Sequence, residues 1–351
     1  MQELLRQLVA GKSLSVEQAV QAFEAVMTGQ ASPAQTAALL ALIEQRGPTV
    51  DEIVGAATVM RAHVTAVDVP AGLTVIDTCG TGGDSAGTFN ISTAAALVAA
   101  GAARAAGGDI AVAKHGNRSV TSSSGSSQVL EALGVKLGVA PACSTQCLAE
   151  ARVCFCFAPA HHPAMKHAAP VRAELGFRTI FNIVGPLTNP AAARRQLVGV
   201  YSSNMTETIA RVLAQLGAEH AMVVHGQIPD ADGRHIDGLD ELSTAGPTRV
   251  SEVRGGKLAT YELSPDTLGL PYSHPSALRV DSVEASAALI RRVLDGEPGP
   301  ARDIVLLNAA AALRVAGLAD DLEEGIARAG EAIDAEHACA ALEALVKLTN
   351  A

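Results

Sequence analysis

From about residue 71 onward, short β-branched or apolar runs alternate with Ala- and Leu-rich helical runs, and this alternation limits the fold more than any other feature. LTVID is followed by ISTAAALVAAGAA and DIAVAK by SSQVLEALG. The series continues through VCFCFA, RRQLVGVYS, TETIARVLAQLG, HAMVVHG and VSEVRGGKLATYEL to the helical runs ASAALIRRVLDG, IVLLNAAAALRVAG, LEEGIARAGEAID and CAALEALVKLTN. Parallel strands need helical crossovers, so the pattern predicts a mostly parallel central sheet covered by helices. Residues 1–70 read differently. Leu4, Leu5 and Leu8, then Val16, Val20, Phe23 and Met27, recur at helical spacing, and about four short helices are expected. Ser13 or Ser15, Ser32 with Pro33, and Thr49 stand where N-caps belong. The break at Val69-Pro70-Ala71-Gly72 marks a boundary. The expected architecture is α/β: a small all-helical domain (1–70) and a larger α/β domain (71–161 and 189–351), with helices from about 162–188 packing back onto the first.

Charge and cysteine content narrow the function. Lys plus Arg number 26 against 36 Asp plus Glu, a net charge of −10, which disfavours nucleic acid as a partner. Six cysteines in 351 residues are too few for a disulfide scaffold, and reduced thiols in a cytoplasm fit best. Charged residues interrupt the amino terminus at Glu3, Arg6, Lys12 and Glu17, where a signal peptide would be apolar. The longest charge-free stretch, 85–103, opens with SAGTFNIST and is too polar and short to span a bilayer, so no membrane role is expected.

Three segments carry the polar chemistry. In DTCGTGGDSAGTFNIST, four glycines within eight positions follow a strand and precede a helix. Backbone amides can turn toward one point there and the helix adds its positive end, which makes a phosphate cradle; the Walker and dinucleotide spacings are absent. Asn90, Ser92 and Thr93 add donors or, for Ser92, an oxygen for a metal. KHGNRSVTSSSGS, again at a strand end, supplies the cations Lys114 and Arg118 and a run of hydroxyls suited to a multiply charged phosphate. DGLDELS brings Asp240 and Glu241 side by side. Alone such a pair is usually a solvated turn, but beside a phosphate ligand it needs a hard cation, and Mg²⁺ is implied. Asp230 and Asp232 lack the rest of a calcium loop and read as an exposed turn. A fourth stretch, His161 to Arg172, is cationic and partly apolar; Arg172 has the planar fork that grips a carboxylate, although a basic surface helix accounts for these residues equally well. Cys154 and Cys156 fall on one face of VCFCF, and core packing is expected there rather than zinc.

Taken together, DTCGTGGD, FNIST, KHGNR with SxSGS, HPAMKHAAPVRAELGFRTIFNIVGPLTNP and DGLDELS resemble anthranilate phosphoribosyltransferases, and the likeness extends from ASPAQTAALLALI to RDIVLLNAAAALRVAG. The resemblance implies a fold like that of the nucleoside phosphorylases and related phosphoribosyltransferases, a homodimer, and Mg²⁺-dependent transfer of phosphoribosyl from phosphoribosyl pyrophosphate to anthranilate in tryptophan biosynthesis. It assigns the phosphoribosyl pyrophosphate site to Gly80, Gly83, Asp84, Thr88, Asn90, Ile91, Ser92 and Thr93, together with Lys114, His115, Gly116, Asn117, Arg118, Ser119, Val120, Thr121, Ser122 and Ser126. Magnesium would fall to Ser92, Asp240 and Glu241, and anthranilate to Gly80, Asn117 and Arg172, with Lys114, Asn117 and Arg172 carrying catalysis. Two departures stand out: SVTSSSGSSQ differs in detail from the commoner pattern, and QIPDADGRHI lengthens the connection before the acidic pair and so bears on how the pair reaches the site. A pyrimidine nucleoside phosphorylase would not need FNIST and DGLDELS together, and a nucleic-acid-binding relative fits poorly with the net charge of −10.

Overall fold

The computed structural model describes residues 1–84, 86–118, 124–229 and 235–351, the side chains of 235–237 apart. Four helices open the chain: α1 (Gln2–Val9), α2 (Val16–Met27), α3 (Pro33–Arg46) and α4 (Val50–Ala62). Ser15, Ser32 and Thr49 cap the last three through reciprocal boxes with Gln18, Gln35 and Glu52. Each box satisfies two amide donors that a helix start would otherwise leave free.

Strands β1 (Thr74–Gly80), β2 (Ile110–Gly116), β3 (Val153–Phe157), β4 (Arg195–Gly199) and β5 (His220–Pro229) form a parallel array in the order β3-β2-β1-β4-β5. Helix α5 (Ile91–Ala105) links β1 to β2, and α6 (Ser126–Ala132) and α7 (Pro141–Glu150) lie between β2 and β3. Cys154 and Cys156 share a face of β3, with sulfurs 3.8 Å apart and both buried. The parallel pattern stops after β5. Strands β6 (His235–Leu239) and β7 (Thr248–Arg254) both pair antiparallel with β5, and β8 (Lys257–Leu263) pairs antiparallel with β7. Gly255 and Gly256, both at positive φ, make the two-residue turn between β7 and β8, so VSEVRGGKLATYEL is a hairpin at the sheet edge.

Between β3 and β4 the chain breaks into short pieces: α8 (Ala158–His161), a 3-10 turn (Pro163–His167), α9 (Ala169–Leu175), α10 (Ile180–Val184) and a second 3-10 turn (Gly185–Leu187). Ala168, Ile180, Phe181, Ile183, Val184 and Leu187 join one apolar cluster with the four opening helices, and Phe181 meets Phe23 edge-on at 5.7 Å. The same cluster takes in α11 (Met205–Gln215) and one face of β4 and β5. The other face of the sheet packs on α5 and on α12 (Val283–Leu294), α13 (Pro300–Ala316), α14 (Leu322–Asp334) and α15 (His337–Thr349). Helix α5 is buried nearly all round, which its run of alanines allows because small side chains let neighbouring backbones close in.

Candidate active site

The chain leaves β1 toward β2 and β3 on one side and returns to the other side as β4, so the sheet reverses direction of growth between β1 and β4. Ligand crevices in open parallel sheets form at such a point, beyond the carboxyl ends of the strands. Those ends are Gly80 and Gly199, which are register partners. The turn after β6 packs directly on them. A methyl on Gly199 would overlap the Asp240 carbonyl, and one on Gly80 would overlap the Asp240 carboxylate, so close approach demands glycine at both places. Asp240 Oδ2 accepts a hydrogen bond from the Gly82 amide at 2.8 Å, and the Asp240 amide donates to Asp84 Oδ2 at 3.3 Å. Glu241 Oε1 accepts from the Ser92 amide at 3.0 Å, on the first turn of α5. The long connection before DGLDELS therefore leaves the acidic pair against the glycine loop.

Beneath this pair lies Lys114, whose Nζ donates to Thr78 O at 2.6 Å and to Ser92 Oγ at 3.1 Å. Only 3% of Lys114 is exposed, so its ammonium belongs to the floor of the site, at the end of β2. His115 departs from the expectation. Successive residues of a strand face opposite ways, so His115 turns away from Lys114. Its Nδ1 lies 3.1 Å from the Gly185 carbonyl and its Nε2 3.2 Å from His162 Nε2. The carbonyl can only accept, which puts the proton on Nδ1 and makes His162 the donor to Nε2. Burial, reinforced by His162, pushes His115 down to about 3, and burial pushes His162 down to about 4. Both rings are neutral at physiological pH. Asp77, fully buried below them, accepts from the His115 amide at 3.0 Å and from Asn189 Nδ2 at 2.7 Å.

The charges at the acidic pair are unbalanced. Burial and then the neighbouring Asp84 and Glu241 raise the Asp240 carboxyl well above the carboxylate range. Burial pushes Glu241 up to about 7, against the opposing pull of Lys114 and the Ser92 bonds. Crowded carboxylates are relieved by protons or by a cation, and this donor set of hard oxygens fits Mg²⁺. No three His, Cys, Asp or Glu side chains among the described residues form a complete metal cage. Mg²⁺ does not need one, since it usually takes one or two carboxylates and completes its shell with water and substrate phosphate.

A pH dependence follows. Glu241 titrates near 7 when folded and near 4.5 when free, so the folded chain binds more protons between those values. Its contribution to stability is complete below about 4.5 and is lost as pH rises through 7. Urea unfolding of metal-free protein should show the stability of wild type falling across that window relative to Glu241→Gln; a wild type that keeps a constant difference from Glu241→Gln, or gains on it as pH rises, would contradict the burial assigned to this group.

The second loop is tied to the first through Asn90. Its Oδ1 accepts from Ser124 Oγ and from Ser286 Oγ, each at 2.9 Å, so Asn90 braces both loops against α12 and its carbonyl oxygen is already engaged. Gly116 leaves room for Ser126 Oγ and the Phe155 ring, and Ser126 Oγ donates to Asn117 O at 3.4 Å. Asn117 and Arg118 are exposed at the rim, while Ile91 is 1% exposed and reaches the site only through backbone. Thr93 is also 1% exposed and its hydroxyl is buried without a partner on the inner side of α5, so only its backbone faces the glycine loop. Thr88 bridges to Arg279 through backbone. Ser119, Val120, Thr121, Ser122, Asp230 and Asp232 lie outside the described residues.

Arg172, half-buried on α9, sits 5.5 Å over the Phe181 ring, and its Nη2 is 3.4 Å from Asn182 Oδ1. Burial lowers its pKa, and a guanidinium held in this way is ready for a planar anion.

Two family models match the chain: the helical bundle domain of a glycosyl transferase family over residues 2–64, and the a/b domain of that family over residues 72–339. An anthranilate phosphoribosyltransferase of Rubrobacter xylanophilus is 49% identical over 351 residues, covering 100% of this chain and 98% of that one. The chain belongs to the anthranilate phosphoribosyltransferase family. The enzyme of Symbiobacterium thermophilum is also 49% identical, over 350 residues, with 100% and 98% covered. A crystal structure of the Thermus thermophilus enzyme superposes with a TM-score of 0.89 at 41% identity, covering 99% of both chains. The Saccharomyces cerevisiae enzyme, solved in complex with phosphoribosyl pyrophosphate and Mg, gives 0.86 at 25% identity, covering 99% of this chain and 97% of that one.

Within this family frame, sequence reasoning passed over several residues that build the site. Arg178 donates to the Gly83 carbonyl and stacks 4.2 Å over Tyr201, so it ties the 162–188 segment to the glycine loop. Asn189, Ser124, Ser286 and His162 act through side-chain bonds to partners remote in sequence. Ser124, His162 and Asn189 fall inside stretches that the sequence singles out, but no spacing reveals partners so remote, and Ser286 stands in a plain helical run.

Proposed function

We infer that this chain transfers the phosphoribosyl group of phosphoribosyl pyrophosphate to the amine of anthranilate, releasing pyrophosphate, as a step of tryptophan biosynthesis. The observation that supports it most is the acidic pair Asp240–Glu241 held against the glycine loop and the α5 amino terminus. Ser92, Asp240 and Glu241 would hold Mg²⁺, whose chemistry when bound is to neutralise the pyrophosphate. The amides of the glycine loop and the first turn of α5 bind phosphate oxygens, with Gly83, Asp84 and Asn90 fixing the loop's shape. Lys114 places a fixed positive charge beneath the departing group as the anomeric carbon becomes cation-like. Arg172 holds the anthranilate carboxylate, and Gly80 and Asn117 complete the acceptor pocket, so that the amine faces the sugar.

A neutral arylamine is already a nucleophile and needs no obligatory base. His115 agrees with this, since its one lone pair accepts from His162 and its pKa is pushed down to about 3. We further propose a helical domain over residues 1–70 with 162–188 packed against it, the remainder forming the substrate domain, and a homodimer working in the cytoplasm. Among the described residues no helix is long and apolar enough to cross a membrane.

The chain has no Trp and three Tyr, so anthranilate fluorescence can be followed directly. Purified protein with phosphoribosyl pyrophosphate and Mg²⁺ should extinguish it, and excess EDTA should stop the loss. Binding of phosphoribosyl pyrophosphate without loss of anthranilate would move the acceptor to another amine.

A further inference from the structure

Asn308 lies on α13, has no exposed surface, and stands 66 residues from the acidic turn in sequence. Its Oδ1 accepts from the Leu242 amide at 3.0 Å, and its Nδ2 donates to the Leu242 carbonyl at 2.9 Å and to the Ile304 carbonyl at 2.9 Å. Both amide hydrogens and the oxygen are engaged, and this arrangement also fixes which way the amide points. The side chain thus grips the residue after Glu241 on both sides, as a neighbouring strand would.

The rest of the turn is locked by other means. Ser243 Oγ accepts from the amides of Ala245 at 3.0 Å and Gly246 at 3.2 Å, and the Ser243 amide donates to Thr248 Oγ1 at 2.9 Å. On the other side, Leu239 is fully buried at the end of β6. Between these anchors, the piece from Asp240 to Leu242 turns its carboxylates to the glycine loop and α5, and Asn308 reaches its backbone from the core. Helix α13 is a rigid platform for this, being buried from Ile304 to Leu313.

We propose that Asn308 is a positioning residue for magnesium-dependent transfer: by holding the Leu242 peptide on both sides, it sets where Asp240 and Glu241 stand against the glycine loop. The inference rests on the reading of those carboxylates as the magnesium residues. Without the clamp, a buried amide and carbonyl lose their partners and the turn must move to satisfy them.

Asn308→Ala and Asn308→Asp in the full chain test it, with Leu307→Ala as a packing control on the same helix. Circular dichroism fixes an assay temperature at which every variant is folded. The Mg²⁺ concentration for half-maximal turnover should rise roughly 10- to 100-fold in both Asn308 variants, while the KM for anthranilate stays within about twofold. The thermal shift that phosphoribosyl pyrophosphate produces with Mg²⁺, over that in EDTA, should shrink in both and persist in Leu307→Ala. An Asn308→Ala protein with the wild-type magnesium requirement and thermal shift overturns the inference, as does Leu307→Ala if it changes both equally. Wild-type protein with no response to magnesium overturns the site reading itself, and the inference with it.

Discussion

Lys114→Met is expected to destabilise the protein by about 3–5 kcal/mol at pH 8 and to lower turnover by about 10²- to 10³-fold. Methionine preserves the length and apolar stem of the side chain, so packing changes little. The loss is the ammonium that donates to Thr78 O and Ser92 Oγ and offsets the neighbouring Glu241 and Asp77. A buried carboxylate left without its cation is costly, and Glu241 then shifts further toward its protonated form. The sign of the pH dependence separates this from a packing defect. Below about 7 Glu241 carries a proton and has less need of a cation, so the stability difference from wild type should narrow at pH 5. Urea unfolding at the two pH values measures it; an equal difference at both would mean that Lys114 serves the fold by packing alone. Turnover should fall at both, because the leaving group loses a fixed charge whatever the state of Glu241.

Gly199→Ala is expected to lower kcat/KM by about 10²-fold and to cost about 3 kcal/mol of stability or more. Gly199 does not have positive φ, so alanine fits its own backbone and the nearest obstacle is the backbone of Asp240. The added methyl pushes Asp240 off the end of β4, and the Gly82 and Ser92 bonds to the acidic pair lengthen with it. Gly330→Ala is the matched control, since nothing lies within 4 Å of the added carbon on α14. That variant should be as active and at least as stable as wild type, because alanine favours a helix. Steady-state kinetics over a magnesium series decide the matter. A Gly199→Ala protein with wild-type kinetics would show that the turn can move without consequence, and the close packing at the strand ends would then have no part in activity.

Local features were legible because they depend on neighbours in sequence. Ser15, Ser32 and Thr49 announce helix starts through the residue three positions on, and each is found capping. The glycine loop declares itself by composition, and Cys154 and Cys156 by strand alternation. Roles that depend on orientation were less legible. KHGNR reads as one cationic block, yet the pleat sends Lys114 to the floor beneath Ser92 and His115 to the other face against Gly185 and His162. Thr93 sits in FNIST as a donor by pattern, but helical geometry buries its hydroxyl. The antiparallel edge from β5 onward was also hidden, since a strand run does not state the direction of its partner.

What the amino-acid sequence determined by itself is the alternation of strands and helices, the caps, and the residue types that suit phosphate and a hard cation, all of which act over a few residues. Tertiary structure alone decided that Asp240, 158 residues from Gly82, should stand on the paired ends of β1 and β4, and that Asn308 and Arg178 should reach the turn and the loop. The reason is physical: strand order and register are set by burying both faces of the sheet at once, so the contacts that build the site exist only after the sheet has chosen its neighbours.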